Sequence, residues 1–208
     1  MTKKYDVELV KDGRVIAQLQ SMELSPNIIE KEAQNMPLEI GFKRLSDNAI
    51  LPTKAHATDS GFDLFAAQDV IIAPGETVVV PTDIAIQLPQ GYEAQVRPRS
   101  GITSKTKLRV QLGTIDEAYR GNIGIIVDNI AHTHHHNDSK NDTPYVKLLN
   151  GDSMLSDTWR KEYAYLIRKG DKIAQLVVQP IPATVAVEIT GELEDSDRGA
   201  NGFGSSGV

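Results

Sequence analysis

From residue 38 onward the chain is written in short apolar runs, each closed by a turn signal. Residues 38–45, 62–66, 70–72, 78–81, 84–88, 92–96, 108–112, 123–127, 164–167, 173–180 and 185–190 read as strands. Pro74-Gly75, Thr82-Asp83 and Pro89-Gln90-Gly91 punctuate them. Closely spaced strands with almost no helical periodicity predict an all-β barrel or sandwich. Residues 1–37 read as an appendage. Positions 5–10 alternate, Asp12-Gly13 signals a hairpin turn, and 14–19 supplies a return strand. Ser25-Pro26 suits the N-cap and first position of a short helix over 27–35, which Pro37 would stop. Residues 129–168 interrupt the strand series with a polar, irregular stretch. From Glu192 the chain is acidic and then glycine-rich, a tail expected to be ordered only by a ligand.

Composition narrows the picture. The chain has 208 residues with 40% hydrophobic content, enough for one domain with a core plus elaborations. No apolar run approaches the length of a membrane span, and the start lacks the apolar core of a signal peptide, so a cytoplasmic protein without a membrane partner is expected. The chain has no cysteine, which excludes disulfides, thiolate metal sites and cysteine nucleophiles. A net charge of −6 argues against general nucleic-acid binding. An anionic ligand must then be held by local arginines, backbone N–H groups or a metal.

The most suggestive stretch is Gly113-Thr114-Ile115-Asp116-Glu117-Ala118-Tyr119-Arg120-Gly121-Asn122. It sets an Asp and a Tyr on a turn bracketed by glycines, between two apolar runs. A purely structural hairpin would have the same composition. Three other phosphate-friendly stretches tip the reading toward Asp116 as a base facing a ligand. Arg99-Ser100-Gly101 offers a planar fork, a hydroxyl donor and close backbone approach, though alone it is an ordinary surface turn. Gly170-Asp171-Lys172-Ile173-Ala174-Gln175 turns into a strand, with Gln175 able to donate to a phosphate or merely to backbone. The tail from Arg198 to Gly207 has the glycines, serines and charge of a phosphate cradle, without a Walker A ending. Its Phe203 suits stacking on a base. Asp63 lies inside an apolar strand and needs a partner, either a structural hydrogen bond or the waters of a Mg2+ ion. His132, His134 and His136 alternate, and adventitious surface metal binding is the favoured reading of that cluster.

Taken in order, these stretches resemble the five motifs of the trimeric dUTP pyrophosphatase (dUTPase) family. Residues 59–66 match the first motif, Arg99-Ser100-Gly101 the second, 113–121 the third, 170–175 the fourth and 198–207 the fifth. The resemblance covers about 38–128 and 165–208. It implies a jelly-roll-like β domain over 38–191, a homotrimer with active sites between subunits, and a C-terminal arm at 192–208 that closes a site formed by its neighbours. It also implies hydrolysis of dUTP to dUMP and pyrophosphate, with Asp116 deprotonating the water that attacks the α-phosphorus. Tyr119 would pack on the deoxyribose, the backbone of Gly113 and Ile115 would help read the uracil edge, and Thr114 would also contact the substrate. Arg99, Ser100, Gln175, Arg198, Ser205 and Ser206 would bind the triphosphate, and Gly101 and Gly204 would also line the substrate. Phe203 would stack on uracil, and Mg2+ would bridge the phosphates with Asp63 near its waters.

There are departures. Many members carry an Asn that contacts uracil where this chain has Val110, so base recognition would lean on backbone. An insertion at about 130–163 resembles the extra segment of staphylococcal-type bacteriophage dUTPases, some of which bind a repressor protein of mobile genetic islands. The segment joins two strands and is expected to be removable, with Trp159, Tyr163 and Tyr165 as aromatic anchors for packing or for a partner. Two readings compete: a dCTP deaminase of the same fold, and a regulatory binding protein with incidental catalysis. The stretch 99–105 lacks the doubled serine and following Arg associated with the deaminases.

Overall fold

The computed structural model describes residues 5–11, 14–22, 37–132, 145–155, 163–197 and 199–200. The first two segments are strands β1 (Tyr5–Lys11) and β2 (Arg14–Met22), paired antiparallel. The expected hairpin is therefore present, while its Asp12-Gly13 turn and the helix expected over 27–35 lie outside the described residues.

The main body is β throughout, except for one six-residue helix, α1 (Ser100–Lys105), among the described residues. Its strands are β3 (Gly41–Arg44), β4 (Phe62–Phe65), β5 (Val70–Ile72), β6 (Thr77–Pro81), β7 (Ile84–Gln87), β8 (Tyr92–Pro98), β9 (Leu108–Val110), β10 (Gly113–Ile115), β11 (Gly124–Asn129), β12 (Tyr145–Leu148), β13 (Ser153–Leu155), β14 (Tyr165–Ile167) and β15 (Lys172–Pro180). They form sheets in the orders β10-β8-β15-β4, β6-β11-β9, β13-β12-β14-β5 and β3-β7.

Alternation drives the packing. Along β11, Ile125, Val127 and Asn129 are buried while Gly124 and Ile126 are exposed, the period of two that a half-buried strand requires. Leu64, Ile72, Val80, Ile84, Leu108, Ile125, Ile167 and Leu176 meet in one core drawn from all four of these sheets. Buried Asn129 is satisfied: its Nδ2 donates to the carbonyls of Ile72 (3.0 Å) and Tyr163 (2.8 Å), and its Oδ1 accepts from the Ala131 N–H (3.1 Å). That is how the sheet tolerates a primary amide in its core.

Two expectations are corrected. The stretch 129–168 is not simply irregular. It contains β12 and β13, and β12 pairs parallel with β14 at Lys147–Tyr165 and Leu148–Leu166. Val146, Ala164 and Leu166 make a second small core with Ile71 and Leu148, so the insertion extends a sheet of the domain. The apolar residues of β12 were outnumbered by their polar neighbours in the sequence, which hid the strand. Residues 185–190 form no strand. Val185, Val187 and Ile189 are 83%, 76% and 64% exposed, an alternating apolar segment with no paired strand among the described residues.

Candidate functional site

Two groups of the expected residues assemble, at opposite ends of the sheet β10-β8-β15-β4. The first is built around β15, which pairs with β4 on one side and β8 on the other. Register places Gln175 between Asp63 and Arg97. Arg99 leaves the end of β8 in extended conformation and caps α1 through its carbonyl, which accepts from the N–H groups of Ile102 and Thr103. Its guanidinium is thereby aimed back at β4: Nε lies 3.1 Å from Asp63 Oδ1, and Nη1 donates to the Lys172 carbonyl at 3.0 Å. Lys172 Nζ lies 2.8 Å from Asp63 Oδ2. Two cations thus share one carboxylate whose side chain is largely buried, a cluster with one positive charge in excess and ready for an anion.

Gln175 Nε2 donates to the Pro98 carbonyl at 3.1 Å, which holds the amide beside this cluster. A Cβ on Gly61 would lie 3.1 Å from Gln175 Oε1, so glycine at 61 makes room for it. Ser100 is exposed at the start of α1, and a Cβ on Gly101 would meet nothing within 4 Å.

The second group is the hairpin. β10 pairs antiparallel with β8, with Gly113 opposite Val96 and Ile115 opposite Ala94. The turn that follows is closed by the Tyr119 N–H donating to the Asp116 carbonyl (3.0 Å), which leaves the Asp116 carboxylate exposed. Glu117 Oε2 accepts from the Gly91 N–H at 2.7 Å and ties the turn to its neighbour. Tyr119 Oη donates to the Asn122 carbonyl at 2.8 Å. A cleft of about 230 Å³ opens here, lined by Gly113, Ile115, Asp116, Tyr119, Asn122 and Ile126 among others. It is largely apolar, with backbone edges and one carboxylate at its rim, which suits a flat polar ring.

Within one chain the two groups do not meet. β10 and β4 are opposite edges of a four-stranded sheet, three strand spacings apart, and Ile115 pairs three residues down β8 from Arg97, the level of Asp63. With strands about 4.8 Å apart and about 3.3 Å per residue, the backbone at Ile115 is roughly 17 Å from that at Asp63. Asp116 lies one residue further away.

Sequence reasoning missed Lys172, although it lies in a stretch already singled out, and it missed Asp83 and Asn122, whose partners are remote in sequence. Arg198, Phe203, Gly204, Ser205 and Ser206 lie outside the described residues, as do Trp159 and His134–His136. His132 is exposed. Among the described residues no group of three or more His, Cys, Asp or Glu side chains could hold a metal ion, and no helix is long and apolar enough to cross a membrane.

A β body with a cationic cluster on one sheet edge and a ring-sized cleft with a carboxylate on the other defines a nucleotide-handling enzyme in class. Comparison with known proteins sharpens this. A sequence model of the dUTPase family matches residues 47–135 and 160–207. The deoxyuridine 5'-triphosphate nucleotidohydrolase of Clostridioides difficile is 41% identical over 167 residues, 79% of this chain and 95% of the relative. That of Gloeothece citriformis is 39% identical over 173 residues, 82% of this chain and 98% of the relative. Among solved structures, the dUTPase of Staphylococcus bacteriophage 80alpha with dUpNHpp has a TM-score of 0.72 at 38% identity, covering 82% of this chain and 99% of its own. The dUTPase of S. aureus phage phi11, solved for its species-specific insert, has a TM-score of 0.68 at 38% identity over 74% of this chain and 97% of its own. The chain belongs to the dUTPase family and is an enzyme of that kind.

Proposed function

We propose that the protein hydrolyses dUTP to dUMP and pyrophosphate in a site shared between copies of the chain. The observation that carries this reading is the distance between the two groups. A base acting through one water must stand within hydrogen-bonding reach of that water, and the water within reach of phosphorus. Roughly 17 Å is too far for the hairpin of one chain to serve the cationic cluster of the same chain. A neighbouring copy that brings its Arg99–Asp63–Lys172 cluster against this hairpin removes the conflict, and a closed homotrimer does so three times over. The unpaired alternating edge at 185–190 supports the same assembly, since a partner subunit would cover it.

In such a site the uracil ring enters the cleft between Gly113, Thr114 and Ile115, where backbone N–H and C=O groups read its edge. Tyr119 packs against the deoxyribose. Asp116 holds a water in line with the α-phosphorus and takes its proton. The water oxygen bonds to phosphorus as the bond to the bridging oxygen breaks, and pyrophosphate leaves. Arg99, Ser100, Gly101 and Gln175 face the phosphates, joined by Arg198, Gly204, Ser205 and Ser206 of the tail, while Phe203 of the tail stacks on uracil.

Enzymes of this family are Mg2+-dependent, and one neighbouring structure, a mutant phi11 phage dUTPase, is described as revealing the coordination of a structural Mg(II) ion. Both oxygens of Asp63 are engaged by cations, so the described residues offer no resident metal cage at the cluster. The donor set fits Mg2+ that arrives on the triphosphate, with Asp63 in contact only through water. Bound there, the ion would neutralise phosphate charge.

The 80alpha enzymes are described as controlling transfer of virulence genes and as linking enzymatic activity to SaPI-inducing capacity. A second role for this chain, binding a repressor protein through the insertion, is supported by strand β13. It is the outer strand of its sheet and leaves Leu155 70% exposed. Absence of membrane-spanning helices among the described residues and of any cysteine supports a site of action in the cytoplasm of a bacterial host.

The test is turnover of dUTP against dCTP with product identification. dUMP and pyrophosphate from dUTP alone support the reading, whereas release of dUTP from dCTP makes the protein a deaminase.

A further inference from the structure

Asp83 stands outside every stretch assigned to the reaction, yet it holds one in place. It occupies the left-handed backbone region at φ +53, in the tight turn between β6 and β7. Non-glycine residues rarely sit there, Asp and Asn being the more tolerant types. Both its carboxylate oxygens are used. Oδ2 accepts from Ser46 Oγ at 2.6 Å, and Oδ1 accepts from Asn122 Nδ2 at 2.9 Å. Its neighbours in the turn grip Ile123 as well: the Thr82 hydroxyl donates to the Ile123 carbonyl at 2.7 Å, and the Ile123 N–H donates to the Ile84 carbonyl at 2.8 Å. Asn122 in turn accepts the Tyr119 hydroxyl on its carbonyl.

The other end of the Asn122 amide shows what sets its orientation. Oδ1 is buried and has no hydrogen-bond partner among the described residues. An unsatisfied buried acceptor is costly, and rotating the amide would relieve nothing, because it would press Oδ1 against the Asp83 carboxylate. The Asp83 bond therefore fixes Asn122, and Asn122 fixes the hydroxyl end of the Tyr119 ring.

We propose that Asp83 is a positioning residue for sugar selection, acting through Asn122 on Tyr119. The inference rests on the reading of Tyr119 as the ring that packs against the deoxyribose. A ring held at its hydroxyl end by a rigid carbonyl presents a fixed wall where a ribose 2′-OH would fall. A ring free to tilt yields to it.

The experiment compares kcat/KM for dUTP and UTP in the parent and in Asp83→Gly, Asp83→Asn and Asn122→Ala. Glycine keeps the left-handed turn and removes both side-chain bonds. Its preference for dUTP over UTP falls roughly tenfold, through a gain on UTP rather than an equal loss on both nucleotides. Asparagine tolerates the same backbone and its amide pairs with Asn122 in either orientation, so Asp83→Asn retains the parental preference. Asn122→Ala deletes the link together with the unpaired acceptor, and it follows Asp83→Gly. It serves as the deciding variant if Asp83→Gly does not fold.

Parental ratios in both Asp83→Gly and Asn122→Ala, or an equal fall on both nucleotides, overturn the inference and leave dUTP hydrolysis standing. So does a loss in Asp83→Asn as large as in Asp83→Gly. A parent protein that does not turn over dUTP overturns the proposed function and this inference with it.

Discussion

The Tyr119 ring lies so close over Gly121 that a Cβ added to the glycine would fall 2.4 Å from the phenolic oxygen and 2.7 Å from Cζ. No positive φ calls for glycine at this position. The ring does. Gly121→Ala is therefore expected to displace the far end of Tyr119 and to spare the fold. Its stability should change by about 1 kcal/mol or less, because a surface ring can swing away. Activity on dUTP should fall, and preference over UTP should fall with it. Thermal denaturation and kinetics on the two nucleotides check the pair of outcomes. An equal loss of stability and activity would make Gly121 a folding residue only.

Asp116→Asn removes the proton acceptor and keeps the shape. Turnover is expected to drop by about 10²–10⁴-fold while binding of a non-hydrolysable dUTP analogue stays within a few-fold of the parent. Single-turnover kinetics and calorimetric titration measure the two. Near-parental turnover would exclude Asp116 as the base.

Tyr119→Ala should accept UTP more readily than the parent does, since the steric wall goes with the ring. The decisive quantity is the ratio of catalytic efficiencies on dUTP and UTP. If it is unchanged, sugar selection lies elsewhere.

Asp63→Ala leaves Arg99 and Lys172 facing each other without the carboxylate between them. Both cations are partly exposed, so solvent screens the repulsion and the expected loss of stability is about 1–3 kcal/mol. Salt should restore part of it. Denaturant midpoints at low and high ionic strength report this directly. A salt-independent loss would point to packing around β4 instead of charge.

How much of this could be read from the sequence differs by element. The strands of the main body were legible because Ile125 and Val127, or Leu64 and Phe62, announce a half-buried strand by their spacing. β10 was legible only as a turn, since three residues beginning with glycine carry no pattern of their own; pairing with β8 makes them a strand. β12 was hidden by its polar neighbours, and β13, at three residues, carries no pattern of its own. Their pairing depends on β14, a remote partner, and excision of 130–163 would now uncover Leu166 and Ile71 rather than trim a loop. The strand expected at 185–190 shows the converse: an alternation that forms no strand, with nothing paired to it among the described residues. Asp116, Tyr119, Arg99 and Gln175 were legible as chemistry. That Asp63 pairs with two cations, and that Asp83 stands behind Tyr119, depends on contacts between residues 36 to 109 positions apart, which no local pattern encodes.

In the proposed assembly the hairpin of one copy works on the cationic cluster of another. Subunit complementation tests it. Asp116→Asn and Arg99→Ala, each inactive on its own, are mixed under conditions of subunit exchange, and dUTP turnover is measured. A site that takes hairpin and cluster from different chains is intact in about one quarter of cases in a random trimer, so activity should return to roughly that fraction of the parent. A mixture as inactive as its components would place both halves of the site in the same chain and contradict the account.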